Sequence, residues 1–279
     1  MTRFVPVLVL LLWSAVPAAA RSLVVEPGPG TPLQDGIDAA LPGDTVRVRE
    51  GVYPESIVIN KPLKVLGKKA VIDAGCGPLT AVQITADAVT LRTIEVRGGS
   101  FYGIDMSVRN LIVIDRVTVV PTCPDVEYGI NVFQGRNMRI RGNRIVDLSG
   151  FGDAAIYVGG TPPDADLRVE RNVLTGPNHR GIIVEDSSDN PAKPIGVRVR
   201  RNEITGADTG IFVFGSTNTE ILSNIITGGT AAGIELTVNS SDNFLSGNRL
   251  SGNVPDVLDA GTNNCWHHNS YSTGTVPPC

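Results

Sequence analysis

Aromatic residues are scarce in this chain, histidine is scarcer still, and basic residues are outnumbered. Aromatics make up 5%, there are three histidines, and 24 Lys and Arg face 28 Asp and Glu. A protein that grips nucleic-acid phosphate carries the opposite balance, so no nucleic-acid partner is expected. The four cysteines contain no C-x-x-C pair, which removes the usual frame for structural zinc. No apolar run is long enough to cross a hydrocarbon core of about 30 Å. A shorter run, residues 4–16, follows Arg3 and leads into Ala18-Ala19-Ala20, the order of a secretory signal. Residues 1–20 are therefore read as a leader. Residues 21–279 are read as one domain without an internal linker, secreted, periplasmic or held at the cell surface, with no membrane span once the leader is gone.

What the chain does have is a recurring phrase, apolar-x-apolar-x-x-Asn-x-apolar. It reads Leu167-Arg168-Val169-Glu170-Arg171-Asn172-Val173-Leu174, and again Val197-Arg198-Val199-Arg200-Arg201-Asn202-Glu203-Ile204. The asparagines fall at Asn143, Asn172, Asn202, Asn224, Asn248 and Asn269, spaced 29, 30, 22, 24 and 21 residues apart. Two earlier copies carry Ile94 and Val117 in that column. Units of this length, alternating with period two, are strands that cannot bury an apolar face alone, so they must stack into a solenoid. Asparagine suits the bend between two strands because it tolerates a left-handed backbone, and its amide can pair with the copies above and below. Losing an interior amide would cost roughly 1–3 kcal/mol.

A second column sets the register: a small residue, Ile, any residue, then an apolar one. It runs through Gly103-Ile104, Gly129-Ile130, Ala155-Ile156, Gly181-Ile182, Gly210-Ile211 and Gly233-Ile234. Two columns per period imply an all-β fold, a right-handed parallel β-helix of about nine coils and some 40 Å in length at about 4.8 Å per coil. Open ends need covers. Leu33, Ile37, Ala40 and Leu41 fall at helical spacing and predict a short capping helix over 32–41, while Trp266 is expected to plug the other end. Of three disulfide pairings, Cys265 with Cys279 would tie the tail to the last coil and close a loop worth roughly 3 kcal/mol. Cys76 with Cys123 then remains.

The stretch Ala39-Ala40-Leu41-Pro42-Gly43-Asp44-Thr45-Val46, then Gly51-Val52-Tyr53-Pro54-Glu55, Lys61-Pro62-Leu63 and Gly67, resembles the opening of the pectin-lyase-like superfamily. With the asparagine column and the closing Asp259-Ala260-Gly261-Thr262-Asn263-Asn264-Cys265-Trp266, the resemblance spans nearly the whole mature chain. It implies the fold and leaves the activity open. The methylesterase Gln-Asp pair that should follow the Gly51–Glu55 opening, the polygalacturonase Asn-Thr-Asp, Asp-Asp and Gly-His-Gly, and the pectate-lyase Arg-x-Pro-x-x-Arg are all missing. The mannuronan-epimerase motif Tyr-Gly-Phe-Asp-Pro-His is met halfway by Tyr102-Gly103-Ile104-Asp105, then lost at Met106 and Ser107. No motif calls for a cofactor, calcium included.

Candidate residues come from what points outward. On the Gly-Ile strand these are Tyr102, Asp105, Asn131, Phe133, Tyr157, Phe212, Phe214 and Glu235, rings beside polar groups as a sugar chain requires. The same phenylalanines could instead pack beneath loops. The longest coils place loops at 147–154, 159–166 and 187–195, close to His179, Arg180, Glu185 and Asp186. With Asp105 these form the candidate acid–base set for proton abstraction or glycoside hydrolysis. Arg92, Arg116, Arg139, Arg141, Arg168, Arg171, Arg198, Arg200 and Arg201 line the other strand and could hold a uronate polymer, or simply keep that face soluble. The leading expectation is binding of an extracellular or cell-wall uronate polysaccharide, with its modification as a further activity. A non-catalytic structural or adhesion protein is the alternative. A third is copper-site assembly, a role that the resemblance extends to related exported repeat proteins. His267 and His268 bear on it, but adjacent strand residues point to opposite faces and should not chelate one ion.

Overall fold

Short strands rich in β-branched residues alternate buried and open positions, as in Val197–Arg200, where the valines are buried and the arginines half-exposed. The computed structural model describes residues 19–124, 126–146, 153–162, 165–177, 179–185, 196–277 and 279. Most of the leader, Asp186, and, of the loops expected at 147–154, 159–166 and 187–195, residues 147–152, 163–164 and 187–195 lie outside them. The described strands form a right-handed parallel β-helix with two parallel sheets, one of 18 strands and one of nine. A typical coil gives the larger sheet two short strands flanking a bend, such as Arg139–Arg141 and Arg144–Val146, and gives the nine-stranded sheet one longer strand, such as Ala154–Gly159. Ile, Val and Leu from both sheets fill the interior. The small-residue column has a steric cause. A Cβ on Gly210 would stand 2.3 Å from Ile226 Cγ2, and one on Gly233 would stand 2.8 Å from Leu250 Cδ2. Glycine there lets the nine-stranded sheet approach the apolar side chains opposite.

The asparagine column is a continuous hydrogen-bonded ladder. Asn202 Oδ1 accepts the Asn172 backbone N–H at 3.0 Å and its Nδ2 at 2.9 Å, while Asn202 Nδ2 donates to Asn224 Oδ1 and to Val169 O, both at 3.0 Å. The pattern runs from Val117 N–H on Asn143 Oδ1 to Asn248 Nδ2 on Asn269 Oδ1. Upstream, Ile94 and Val117 fill the same column as buried apolar groups. One expectation is corrected. The left-handed residue is the one before each ladder position, namely Arg116, Gly142, Arg171, Arg201, Ser223, Gly247 and His268, whereas the asparagines are not left-handed. The preceding residue makes the turn, and the asparagine side chain is thereby swung inward onto its neighbours.

Both ends are covered. The helix Pro32–Ala39 buries Leu33 and Ile37 completely, and Glu55 accepts the N–H groups of Leu33 and Gln34 at 2.9 Å each, meeting orphan donors of its first turn. The helix is shorter than expected, and Leu41 lies beyond it, 51% exposed rather than in the core. At the other end Trp266 is buried. Its Nε1 donates to Asp259 Oδ2 at 2.7 Å, and Tyr271 meets it edge to face. Burial works to raise the Asp256 carboxyl, but the N–H groups of Ser272, Asn253 and Thr273 and the Asn253 amide outweigh it and hold the group below the usual carboxylate range. The disulfides are Cys76–Cys123 and Cys265–Cys279. Among the described residues no helix is long and apolar enough to cross a membrane.

Candidate functional site

The outer face of the nine-stranded sheet is a grid whose rows are coils and whose columns are fixed by register. One column runs Tyr102, Tyr128, Ala154, Arg180, Thr209. The next runs Asp105, Asn131, Tyr157, Ile183, Phe212, Glu235. The residues just ahead of these strands are tied coil to coil by backbone bonds: Glu127 N–H to Phe101 O, Asp153 N–H to Glu127 O, Arg180 N–H to Asp153 O. That ladder brings Glu127, Tyr128, Asp153, His179 and Arg180 to one edge of the sheet. Asp153 is the hub. Its Oδ1 takes a short hydrogen bond from Arg180 Nη1 and lies 3.9 Å from His179 Nδ1, and its Oδ2 accepts from Tyr128 Oη at 3.3 Å.

Aromatic rings surround this charge cluster. Tyr102 and Tyr128 stack with centroids 5.8 Å apart, Tyr157 lies 5.0 Å beyond Tyr128, and Phe101 meets Tyr102 edge-on at 4.6 Å. The Arg180 guanidinium sits 4.5 Å above the Phe212 ring, which stacks on Phe214. Arg180 is thus held on one side by a carboxylate and on another by a ring face, a pre-set orientation for a planar fork of donors. A guanidinium has five donors, more than one Asp153 oxygen takes up. Desolvation, then repulsion from Asp153 and Glu127, pushes the Tyr128 phenol far above its ordinary value, so it stays protonated as a donor. Desolvation and the Asp153 charge likewise raise the Glu127 carboxyl, against an opposing pull from His179. Tyr102 is raised by burial, with Asp105 and Glu127 adding to it.

The residues singled out in the sequence separate into groups. His179 and Arg180 belong to the edge cluster. Glu185 stands at the far end of the strand Arg180–Glu185, about 17 Å away at roughly 3.3 Å per residue, and Asp186 is outside the described residues. Asp105 is engaged by Asn131 Nδ2 at 2.6 Å and by Ser107 Oγ at 3.4 Å. Asn131 and Tyr157 point outward yet are buried, at 6% and 9% exposure. Phe133, Phe212 and Glu235 are half-buried, and Phe214 is exposed. Glu127, Tyr128 and Asp153 were missed. They could have been found by reading, coil by coil, the two letters ahead of each small residue: Phe101-Tyr102, Glu127-Tyr128, Asp153-Ala154, His179-Arg180.

On the larger sheet most of the arginine stripe is ion-paired, through four carboxylates. Asp115, nearly buried, receives Arg92 at 2.6 Å and Arg116 and Arg141 at 3.5 Å. Asp166 pairs with Arg139 and Arg168, Glu220 with Arg198, and Glu170 with Arg200. The Arg139 hydrogen bond is the foremost reason that the Asp166 carboxyl lies below its ordinary value. A second correction concerns His267 and His268. Their rings do not diverge, but lie 3.7 Å apart between centroids.

With fold and site in view, the similarities to known proteins can be placed. Residues 84–276 match the family described as Periplasmic copper-binding protein (NosD). The chain belongs to that family. Among solved structures it is similar to an alginate lyase from Paenibacillus sp. str. FPU-7, with a TM-score of 0.53 and 15% identity, covering 90% of this chain and 99% of that one. It is also similar to the pectate lyase Pel9A, at 0.52 and 14%, covering 88% and 78%. A third is the periplasmic alginate epimerase AlgG, at 0.50 and 12%, covering 90% and 84%. At such identities these likenesses establish the β-helix alone. No curated protein matches the chain. Against the family's description, the described residues contain no group of three or more His, Cys, Asp or Glu placed to share an ion. All four cysteines are in disulfides, and His267 with His268 is the one pair of imidazoles in contact.

Proposed function

We propose that this exported, periplasmic β-helix protein binds an acidic polysaccharide across the outer face of its nine-stranded sheet, with Arg180 taking a uronate carboxylate. The observation that carries the reading is Arg180 itself, fixed between Asp153 and the Phe212 ring and flanked by the stacked Tyr102–Tyr128 pair. Carboxylate recognition favours a guanidinium whose rotamer is already chosen, and sugar rings offer C–H faces to aromatic neighbours. The alginate and pectate enzymes of the same fold, named for uronate polymers, agree with it. Tyr128, its phenol held far above the ordinary value, would supply a proton rather than take one, and His179 beside Asp153 is the group placed to accept one.

The test is a panel of alginate, polygalacturonate and neutral glucan, followed by retardation in affinity gels and by the absorbance of unsaturated products. Retention on uronate polymers and not on glucan is expected. Arg180→Ala should weaken it by about 10- to 100-fold, the worth of a charge-assisted hydrogen bond. Product formation that His179→Ala abolishes would make the protein a lyase, and retention without product a binding protein. Equal behaviour towards all three polymers would overturn the proposal in favour of a structural or adhesive role.

A further inference from the structure

Past the ladder bend each coil runs on as a second short strand, and the outward positions of these strands make a face of their own, distinct from the arginine stripe. Two columns cross it. The first takes one residue from each coil, Glu95, Thr118, Arg144, Val173, Glu203, Ile225 and Arg249. In the second, Val146, Thr175, Thr205, Thr227 and Ser251 follow one another, with Arg97 and Val120 in the coils of Glu95 and Thr118. The threonines are close enough to touch, Thr205 Oγ1 standing 3.2 Å from Thr227 Oγ1. Glu95 pairs with Arg97 in its own strand, but among the described residues Arg144, Glu203 and Arg249 enter no ion pair, and all three are exposed. Ile225 is exposed between them. The stripe before the bend carries its carboxylates beside its arginines, whereas here opposite charges stand two coils apart with a valine between.

The first column is its own complement when reversed. Counting outward from Val173, one coil each way gives Thr118's neighbour Arg144 and, opposite it, Glu203; two coils give Thr118 and Ile225; three give Glu95 and Arg249. A two-fold axis parallel to the strands, lying over Val173 between two such faces, therefore sets Arg144 on Glu203 and Glu95 on Arg249, each pairing occurring twice, with Val173 on its own copy. Sheets stacked face to face stand about 10 Å apart, a gap that an arginine and a glutamate bridge between them. Turned about an axis along the solenoid instead, the first column would meet the second, leaving Arg144 on Val146 and Glu203 on Thr205. The charges thus select the antiparallel arrangement.

We infer that this face docks a second copy of the chain, laid antiparallel about Val173, through complementary charges around a strip of valine, isoleucine and threonine methyls. A symmetric contact of this kind uses the same patch on both partners, as the reversed column requires. Seven coils at about 4.8 Å and three residues at about 3.3 Å give roughly 330 Å² per partner in projection, well under the roughly 800 Å² of a stable complex. At the edge of the strip, Arg171 in the bend would also face its own copy. The association is therefore weak and driven by concentration. It leaves the outer face of the nine-stranded sheet open and does not depend on the glycan reading.

The experiment is sedimentation equilibrium on the mature chain with both disulfides intact, from about 1 µM to about 1 mM, the range in which weak complexes form. A monomer–dimer equilibrium is expected, weakened by added salt because its ion pairs are partly exposed. Arg144→Glu and Glu203→Arg should each weaken it by at least about 10-fold, since each turns two attractive pairs into repulsive ones. The double variant Arg144→Glu with Glu203→Arg should restore it, because the swap exchanges the charges across the axis. Arg200→Ala, on the neighbouring stripe, should leave it unchanged. As a check on the unmodified protein, hydroxyl-radical labelling of Ile225 should fall as concentration rises while that of Phe214, on the other sheet, stays constant. A monomer at every concentration, a dimer indifferent to Arg144→Glu, a double variant no better than the single ones, or protection of Phe214 in place of Ile225 would each overturn the inference.

Discussion

Two surfaces of one solenoid obey opposite rules. At the ladder bend each coil from Asn143 to Asn269 repeats the same bonds, side-chain amide to amide and amide to carbonyl, so that any rung stands in for any other. On the outer face of the nine-stranded sheet no two rows agree. A tyrosine stacks on a tyrosine, then alanine follows, then an arginine clamped by Asp153, then threonine. Repetition serves stacking, since identical neighbours satisfy one another. Where the repeat is abandoned, and desolvated carboxyl, phenol and guanidinium groups collect, stacking has no use for the choice. The contrast separates the letters that make the fold from those free to recognise something.

The contrast can be broken or sharpened by measurement. The largest effect belongs to the ladder. Asn202→Ala removes an acceptor from two Asn172 donors and a donor from two acceptors, and should cost about 3 kcal/mol in chemical denaturation. The same change at Asn269, the last rung, should cost about 1 kcal/mol. Equal losses at both would mean that the amides do not support one another along the column. Next comes the face. Arg180→Lys keeps the charge but loses the fork, so uronate retention should fall about 10-fold while the unfolding midpoint stays put. A shift in the midpoint with retention unchanged would make Arg180 a structural residue.

A smaller effect is expected at Asp256. Its folded carboxyl lies below the unfolded value of about 3.9, so its contribution is complete above that pH and disappears as pH falls through the lower folded value. Asp256→Asn should lose about 1 kcal/mol at neutral pH and lack that loss on the acid side. The smallest effect is on the arginine stripe. Arg200→Ala breaks a partly exposed pair with Glu170 and should alter stability by less than about 1 kcal/mol and uronate retention not at all.

What could be read in the letters follows the same division. The ladder asparagines, the glycines under Ile226 and Leu250, the Cys265–Cys279 pair and the Trp266 plug all announce themselves, because each answers a demand that recurs in every coil or at an open end, whereas Cys76–Cys123 followed only as the pair left over. The turn residue escaped because the asparagine's visible role hides its predecessor. Arg171 and Ser223 share no chemistry, only a backbone angle. The edge cluster escaped because Glu127, Asp153 and His179 are separated by a full coil each and repeat nothing. Burial of outward-pointing Tyr157 and Ile183 could not be read at all, since what lies over a sheet is decided by neighbours far along the chain.

In-register stacking has one more consequence. A coil enters and leaves the cross-section at the same point, so cutting out 203–224, the 22 residues between two rungs, would set Asn202 directly on Asn248 and leave both termini of the molecule as they were. Length is then a quantity that duplication or deletion can adjust in whole steps, lengthening or shortening the surface on offer without redesigning the interior.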